Sequence, residues 1–221
     1  MRKERGGGVQ DTEITERIGI YGGTFDPFHF GHLHALRAFF AALHPDKILL
    51  MPAFLPPHKA HRAGDDPAAR LFMLRALAQE EEFAQMRCTV SDYEIAKQGK
   101  SYSYDTLCRF SAPHRALYFL MGTDMFCSLE HWHRGTELFS LAHMVCVRRG
   151  GENEAQECAR IAEAAQRYET LYRAHTTVLA AEPFALSSTE VRKRLAAGED
   201  AARYCPAPVA QIIERSGCYR E

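Results

Sequence analysis

No stretch of the 221 residues approaches the roughly 20 consecutive apolar side chains of a membrane-spanning helix, so no membrane span is expected. Nor is there an excess of basic charge. The 27 Lys and Arg are offset by 28 Asp and Glu, a formal net charge of −1, which argues against wrapping nucleic acid through bulk positive potential. The seven cysteines, at 88, 108, 127, 146, 158, 205 and 218, are odd in number and contain no C-x-x-C pair. Neither a disulfide framework nor a cysteine zinc site is suggested, and free thiols fit a cytoplasmic, reducing setting. Internal repeats and low-complexity blocks are absent, and Trp132 is the only tryptophan. Residues 1–16 have no apolar run but carry Gly6-Gly7-Gly8 and alternating charges, and read as a flexible extension rather than a secretory signal.

What is present is an ordinary globular mixture, 46% hydrophobic and 25% charged, long enough for one large domain or a domain with an appendage. Ile18–Tyr21 reads as a short strand ending at Gly22-Gly23, followed by one helical stripe of Leu33, Leu36, Phe40 and Leu43. Lys47–Met51 is a buried-type strand stopped by Pro52. Asp66-Pro67 supplies a cap and a first-turn proline for a helix expected to reach about Glu81. Further strands are expected at Cys88–Val90, Ala116–Met121, His143–Val147 and Thr176–Leu179, with helices over Ser103–Phe110, from Ser187 to near Gly198, and over Ala207–Ser216. Strands alternating with helices define an α/β domain with a mostly parallel sheet covered on both faces and a small helical C-terminal portion.

One feature is uneven: six of the 11 histidines fall between His29 and His61. The first strand runs into Gly22-Gly-Thr-Phe-Asp-Pro-Phe-His-Phe-Gly-His32, at the strand end where open α/β sheets bind ligands. Gly22 and Gly23 let backbone approach a ligand closely, and the next helix N-terminus offers unpaired N–H groups and a positive dipole end that suit phosphate. His29 and His32 beside it can donate hydrogen bonds to phosphate oxygens as charge shifts, and four Lys or Arg against one Asp between Pro27 and Arg62 make the stretch locally basic. A structural role for either histidine, or zinc held by His29, His32 and His34, are the alternatives, though no Glu follows His29 as in H-E-x-x-H. Downstream, Pro56-Pro57 would present His58 and Lys59 rigidly. Ser103 and Asp105 look like helix-start residues, and Asp124, after Gly122, suits ribose hydroxyls. Ser187 with Glu190 forms a capping box, and Arg192, Lys193 and Arg194 crowd that helix's first two turns against its dipole, which suggests an anion nearby.

The eleven-residue string resembles the signature of adenylyl-transferring nucleotidyltransferases, and within them the chain is most similar to the nicotinate-nucleotide adenylyltransferases, from about Ile18 to Tyr219. Phosphopantetheine adenylyltransferases are similar but usually carry Thr where His29 stands. The resemblance implies a doubly wound, Rossmann-like nucleotidyltransferase core over 17–185. Residues 186–221 would form a helical portion of the same catalytic domain, carrying Ser187-Ser-Thr-Glu-Val-Arg192. It implies transfer of the adenylyl group of ATP to nicotinate mononucleotide by direct attack, with pyrophosphate leaving and Mg²⁺ on the triphosphate. By the same resemblance His29, His32, Lys59 and Arg192 would be catalytic. Gly22, Gly23, Thr24, Phe25, Gly122, Asp124, Ser188 and Thr189 would join His29, His32 and Arg192 in binding ATP. His58, Lys59, Ser103 and Trp132 would bind the mononucleotide, Ser103 standing where the family has Thr and His133 where it often has Tyr. The implied partners are these two small molecules, with no nucleic acid or membrane and with a homo-oligomer open. Nicotinamide mononucleotide as acceptor, a non-catalytic nucleotide sensor and a zinc-bound structural domain are the rival readings.

Overall fold

The computed structural model describes residues 13–57, 64–148 and 153–220. Its centre is a six-stranded, all-parallel sheet. The strands are β1 (Glu16–Gly23), β2 (Lys47–Pro52), β3 (Cys88–Val90), β4 (Arg115–Gly122), β5 (His143–Val147) and β6 (Thr176–Val178). Their order is β3-β2-β1-β4-β5-β6, so the chain winds outward from β1 and then returns to β4 on its other side. That reversal places the topological switch point between β1 and β4, where such sheets open a crevice beyond the strand C-termini. Register brings the glycines to one rim: Gly22 pairs with Met51, Gly23 with Pro52 and Gly122 with Val147.

Both faces of the sheet are buried, and the period-two alternation of strand side chains divides the core accordingly. Ile18, Ile20, Leu49, Met51, Leu117, Phe119 and Met121 point to one face. Tyr21, Ile48, Leu50, Leu120, Val145 and Val147 point to the other. The second face is covered by α1 (Phe30–Leu43) and α2 (Pro67–Leu77), through Leu36, Phe39, Leu74 and Leu77. The same cluster takes in Phe83 of α3 (Glu81–Gln85), Val191 and Leu195 further along the chain, and Val209 and Ile213 near its end. The first face is covered by α5 (Ser103–Phe110), which follows the short α4 (Tyr93–Lys97), and by α6 (Thr123–Cys127) and α7 (Gly135–Leu141). It is completed by α8 (Glu154–Tyr172). After β6 come α9 (Ser188–Ala196) and α10 (Ala207–Ser216). Among the described residues no helix is long and apolar enough to cross a membrane.

Two sequence expectations change. The helix starting at Asp66 is capped as expected, Asp66 accepting from the Ala68 N–H at 2.8 Å, but it stops at Leu77 rather than near Glu81. Gln79 and Glu80 donate to carbonyls three residues back, Glu80 turns extended, and α3 starts afresh, so that Phe83 can bury against Phe28. The long helix α8 had no sequence counterpart, because its buried stripe of Glu157, Ile161, Ala164 and Tyr168 is thin in large aliphatics and includes an acid.

Candidate active site

At the rim of β1 the chain enters α1 through His29, which serves as the N-cap in extended conformation. Its Nδ1 accepts the Gly31 N–H at 3.1 Å, and its own N–H donates to Nδ1 of His32 at 3.2 Å. The two imidazoles thus form a capping box made of histidines, each satisfying an orphan N–H of the first turn. Because both Nδ1 atoms accept, each ring carries its proton on Nε2. The rings stack with centroids 3.8 Å apart, and His32 is packed among Phe25 and Phe28 at 5.0 and 5.2 Å. Gly31 is required between them: a Cβ there would lie 3.0 Å from the His29 ring and 3.2 Å from the Leu186 carbonyl.

That contact marks where α9 arrives. Ser187 caps α9, accepting from the Glu190 N–H at 3.2 Å, while Ser188 Oγ donates to the Pro27 carbonyl at 3.2 Å. Two helix N-termini, of α1 and α9, therefore meet at the loop 22–29 and aim their positive dipole ends at one place. Arg192 joins them. Its Nη1 donates to the Asp26 carbonyl at 2.6 Å and lies 3.3 Å from Asp26 Oδ2, and its Nη2 donates to Thr189 Oγ1 at 3.2 Å.

The basic cluster expected on α9 divides. A helix of nine residues puts Lys193 and Arg194 in its last turn, where the dipole favours cations. Arg194 is moreover held by Glu190 and Tyr204, so Arg192 alone of the three lines the cleft. Glu190, engaged by Arg194, leaves the capping box with only its serine half in evidence. The basic stretch after Pro27 is likewise not all site, since Arg37 pairs with Glu82 away from the cleft.

Arg70 holds the loop from beneath and was not singled out by sequence. It is fully buried, paired with Asp65 at 2.8 Å, and donates to the carbonyls of Thr24 and Phe54 at 2.7 and 3.3 Å, tying the loops after β1 and β2 together. The signal was available, because Arg70 stands in the buried stripe with Met73, Leu74 and Leu77.

On the other side of the switch point, Gly122 caps α6 and Thr123 Oγ1 donates to the buried Glu157 at 2.6 Å. Asp124 is ion-paired with Arg160 at 3.1 Å, so a ribose reaching it meets a carboxylate already oriented by a cation. Beyond lies an aromatic end. Trp132 donates from Nε1 to Ser128 Oγ at 3.2 Å and meets Phe119 edge-on, while His133 lies against Tyr102 with centroids 4.2 Å apart. Ser103 is the first residue of α5 but not its cap; Tyr102 holds the cap position without a side-chain bond, and Asp105 pairs with Lys97. Below them Glu94 is buried, accepting from Thr106 Oγ1 at 2.5 Å. Burial pushes its pKa up, against the hydroxyls of Thr106 and Ser101 and the charge of Lys97.

One cleft of about 1050 Å³ joins these parts. It is lined by Gly22, Gly23, Thr24, Phe25, His29, His32, Gly122, Asp124, Ser188, Thr189 and Arg192, together with Ser103 and Trp132. His58 and Lys59 lie outside the described residues. Among the described residues no group of three His, Cys, Asp or Glu could hold a metal ion. The histidines without an expected task are accounted for in part. His34 lines the cleft and hydrogen-bonds the Glu182 carbonyl at 2.6 Å, and His44 ends α1 in left-handed conformation.

A parallel sheet with a 3-2-1-4-5-6 order, glycines at the switch point and two helix N-termini facing one cleft define a nucleotide-handling α/β enzyme. The cytidylyltransferase-like family model matches residues 20–194, and the chain belongs to that family of nucleotidyltransferases. Within it the chain is a member of the nicotinate-nucleotide adenylyltransferases. It is 34% identical over 206 residues to the probable enzyme of that name from Clostridium botulinum strain Eklund 17B, covering 93% of this chain and 99% of the relative. To the probable enzyme from Desulfatibacillum aliphaticivorans it is 31% identical over 223 residues, with 92% and 99% covered. Its fold matches Plasmodium falciparum nicotinic acid mononucleotide adenylyltransferase complexed with NaAD, at a TM-score of 0.70, 18% identity, and coverage of 92% of this chain and 97% of that one.

Proposed function

We propose that this protein transfers the adenylyl group of ATP to nicotinate mononucleotide, giving nicotinate adenine dinucleotide and pyrophosphate. The observation that carries the reading is the histidine capping box: two Nε2–H donors fixed at the N-terminus of α1, in a cleft whose far end is aromatic. The 5′-phosphate of the mononucleotide attacks the α-phosphorus of ATP, the bond to the bridging oxygen breaks, and pyrophosphate departs with the electron pair. No side-chain nucleophile is required, so catalysis is positioning and charge stabilisation. His29 and His32 donate to the α-phosphate as negative charge builds on its oxygens, and Arg192 with the α9 N-terminus holds the departing phosphates. Lys59 adds positive charge from the loop after β2, and His58 helps shape that side of the site. The backbone at Gly22–Phe25 carries the nucleotide, Ser188 and Thr189 lie along its phosphates, and Gly122 and Asp124 receive ribose. Trp132 stacks on the pyridine ring, and Ser103 binds its carboxylate.

Mg²⁺ fits this site as a passenger on the triphosphate, because the described residues offer donors to phosphate and no carboxylate-rich cage of their own. It would neutralise phosphate charge there. The seven free thiols suit a cytoplasmic enzyme.

The test is to supply ATP labelled at the α-phosphorus, Mg²⁺, and either nicotinate or nicotinamide mononucleotide. Label in a dinucleotide formed from the acid, with unlabelled pyrophosphate released, is the expected result. Preference for the amide would overturn the acceptor assignment, and absence of transfer to either would favour a nucleotide sensor.

A further inference from the structure

Residues 217–220 follow α10 and bring Tyr219 back under the loop 22–29, 193 positions away in sequence from the residue it meets. Its hydroxyl donates to Asp26 Oδ1 at 2.8 Å. Asp26 is 5% exposed, and its other carboxylate oxygen lies 3.3 Å from Arg192 Nη1. Tyr219 holds this position in left-handed backbone conformation, φ 67°, which an aromatic residue adopts at a cost and keeps only when its surroundings require it. Its ring packs at the edge of the core that holds α1, α2 and α10.

We propose that Tyr219 is a positioning residue for Arg192: by engaging Oδ1 of Asp26 it limits that carboxylate to a one-oxygen contact with the guanidinium, which stays available to phosphate. The proposal rests on the reading of Arg192 as a ligand of the departing phosphates. A carboxylate turns easily about its last torsion, and its preferred match to arginine is bidentate. Without the phenol proton, Asp26 is no longer held by Tyr219. It can rotate to grip Arg192 with both oxygens and draw the guanidinium down against the loop. Tyr219 thus moderates an ion pair that would otherwise compete with the triphosphate, and the segment after α10 contributes to the phosphate end of the cleft without touching the ligand.

The full-length protein carrying Tyr219→Phe keeps the ring and loses only the hydroxyl. Calorimetric titration with inorganic pyrophosphate and with ATP should show both dissociation constants rising about five- to tenfold, as expected for weakening one charged contact. The KM for ATP should rise with them, while the KM for nicotinate mononucleotide and the Tm stay near wild type. In an Asp26→Asn background, where the competing charge is gone, the same substitution should leave pyrophosphate affinity unchanged. Unaltered pyrophosphate affinity in the single variant would overturn the proposal, as would equal weakening toward both substrates together with a lowered Tm, the signature of a merely structural tyrosine. Titration needs no turnover, so a wild-type protein that binds pyrophosphate but transfers no adenylyl group would count against the proposed function and not against this latch.

Discussion

Replacing Gly31 with Ala tests the histidine capping box by a single methyl group. The added Cβ would sit 3.0 Å from both Cε1 and Nδ1 of His29 and 3.2 Å from the Leu186 carbonyl oxygen. Carbon contacts settle at about 3.5–4.0 Å, so the ring must retreat by roughly half an ångström or more. It has little room to do so: its Nδ1 is bound by the Gly31 N–H itself, its face lies on His32, and the opposite neighbour is backbone. The stability terms nearly cancel. Alanine favours a helix over glycine by about 1 kcal/mol, and a disturbed N-cap costs about 1 kcal/mol, so the Tm should move by no more than about 2–4 °C. The rate term does not cancel, since displacement of a catalytic donor by about 1 Å costs on the order of 100-fold, and half that distance about 10-fold. Stopped-flow measurement of adenylyl transfer under single turnover should therefore show a loss of about 10- to 100-fold with the melting curve nearly unchanged. A Gly31→Ala enzyme within twofold of wild type would refute the claim that the spacing of the two rings matters.

Two further predictions concern the aromatic end. At Gly135 a Cβ would lie 2.1 Å from the Leu129 carbonyl, a clash with backbone. Gly135→Ala should lower the Tm by about 5 °C or more, consistent with an overpacking cost of about 1–3 kcal/mol. It should also raise the KM for the mononucleotide through the turn carrying Trp132, and an unchanged Tm by calorimetry would contradict the packing described. Glu94 bears on pH. Its folded pKa is raised by burial, so the folded state retains a proton that the unfolded chain releases near the ordinary carboxylate value. Its stabilising contribution is present below that value and lost as pH rises through the raised one. Hence the Tm of Glu94→Gln minus that of wild type should increase from about pH 4 toward neutrality, and a difference independent of pH would remove Glu94 from this role.

The phosphate end of the cleft was legible in sequence because its chemistry is contiguous: a strand, two glycines, a turn and a helix start lie within Ile18–His32. Strand periodicity and the Asp66 and Ser187 caps were readable for the same reason, since each rests on neighbours within a few residues. What escaped depends on contacts between distant segments. Arg70 carries no local mark of the two carbonyls it binds, and Tyr219 none of Asp26. The acidic residue on Thr106 is twelve positions away, on a five-residue helix too short to show a period. The crowding of cations on α9 was visible as a pattern, but its meaning turned on helix length: nine residues make its second turn also its last, and only Arg192 belongs to the site.

The central claim is that Nε2–H of His32 donates to the α-phosphate in the transition state, and His32→Asn isolates it. The asparagine Oδ1 can replace Nδ1 as acceptor for the His29 N–H, preserving the cap, but nothing replaces Nε2. Under single turnover with saturating ATP and nicotinate mononucleotide, transfer should slow by about 100- to 1,000-fold, the loss expected for one donor to developing charge. ATP affinity should remain within a few-fold of wild type. A rate within threefold of wild type would contradict the assignment of catalysis to the histidine pair.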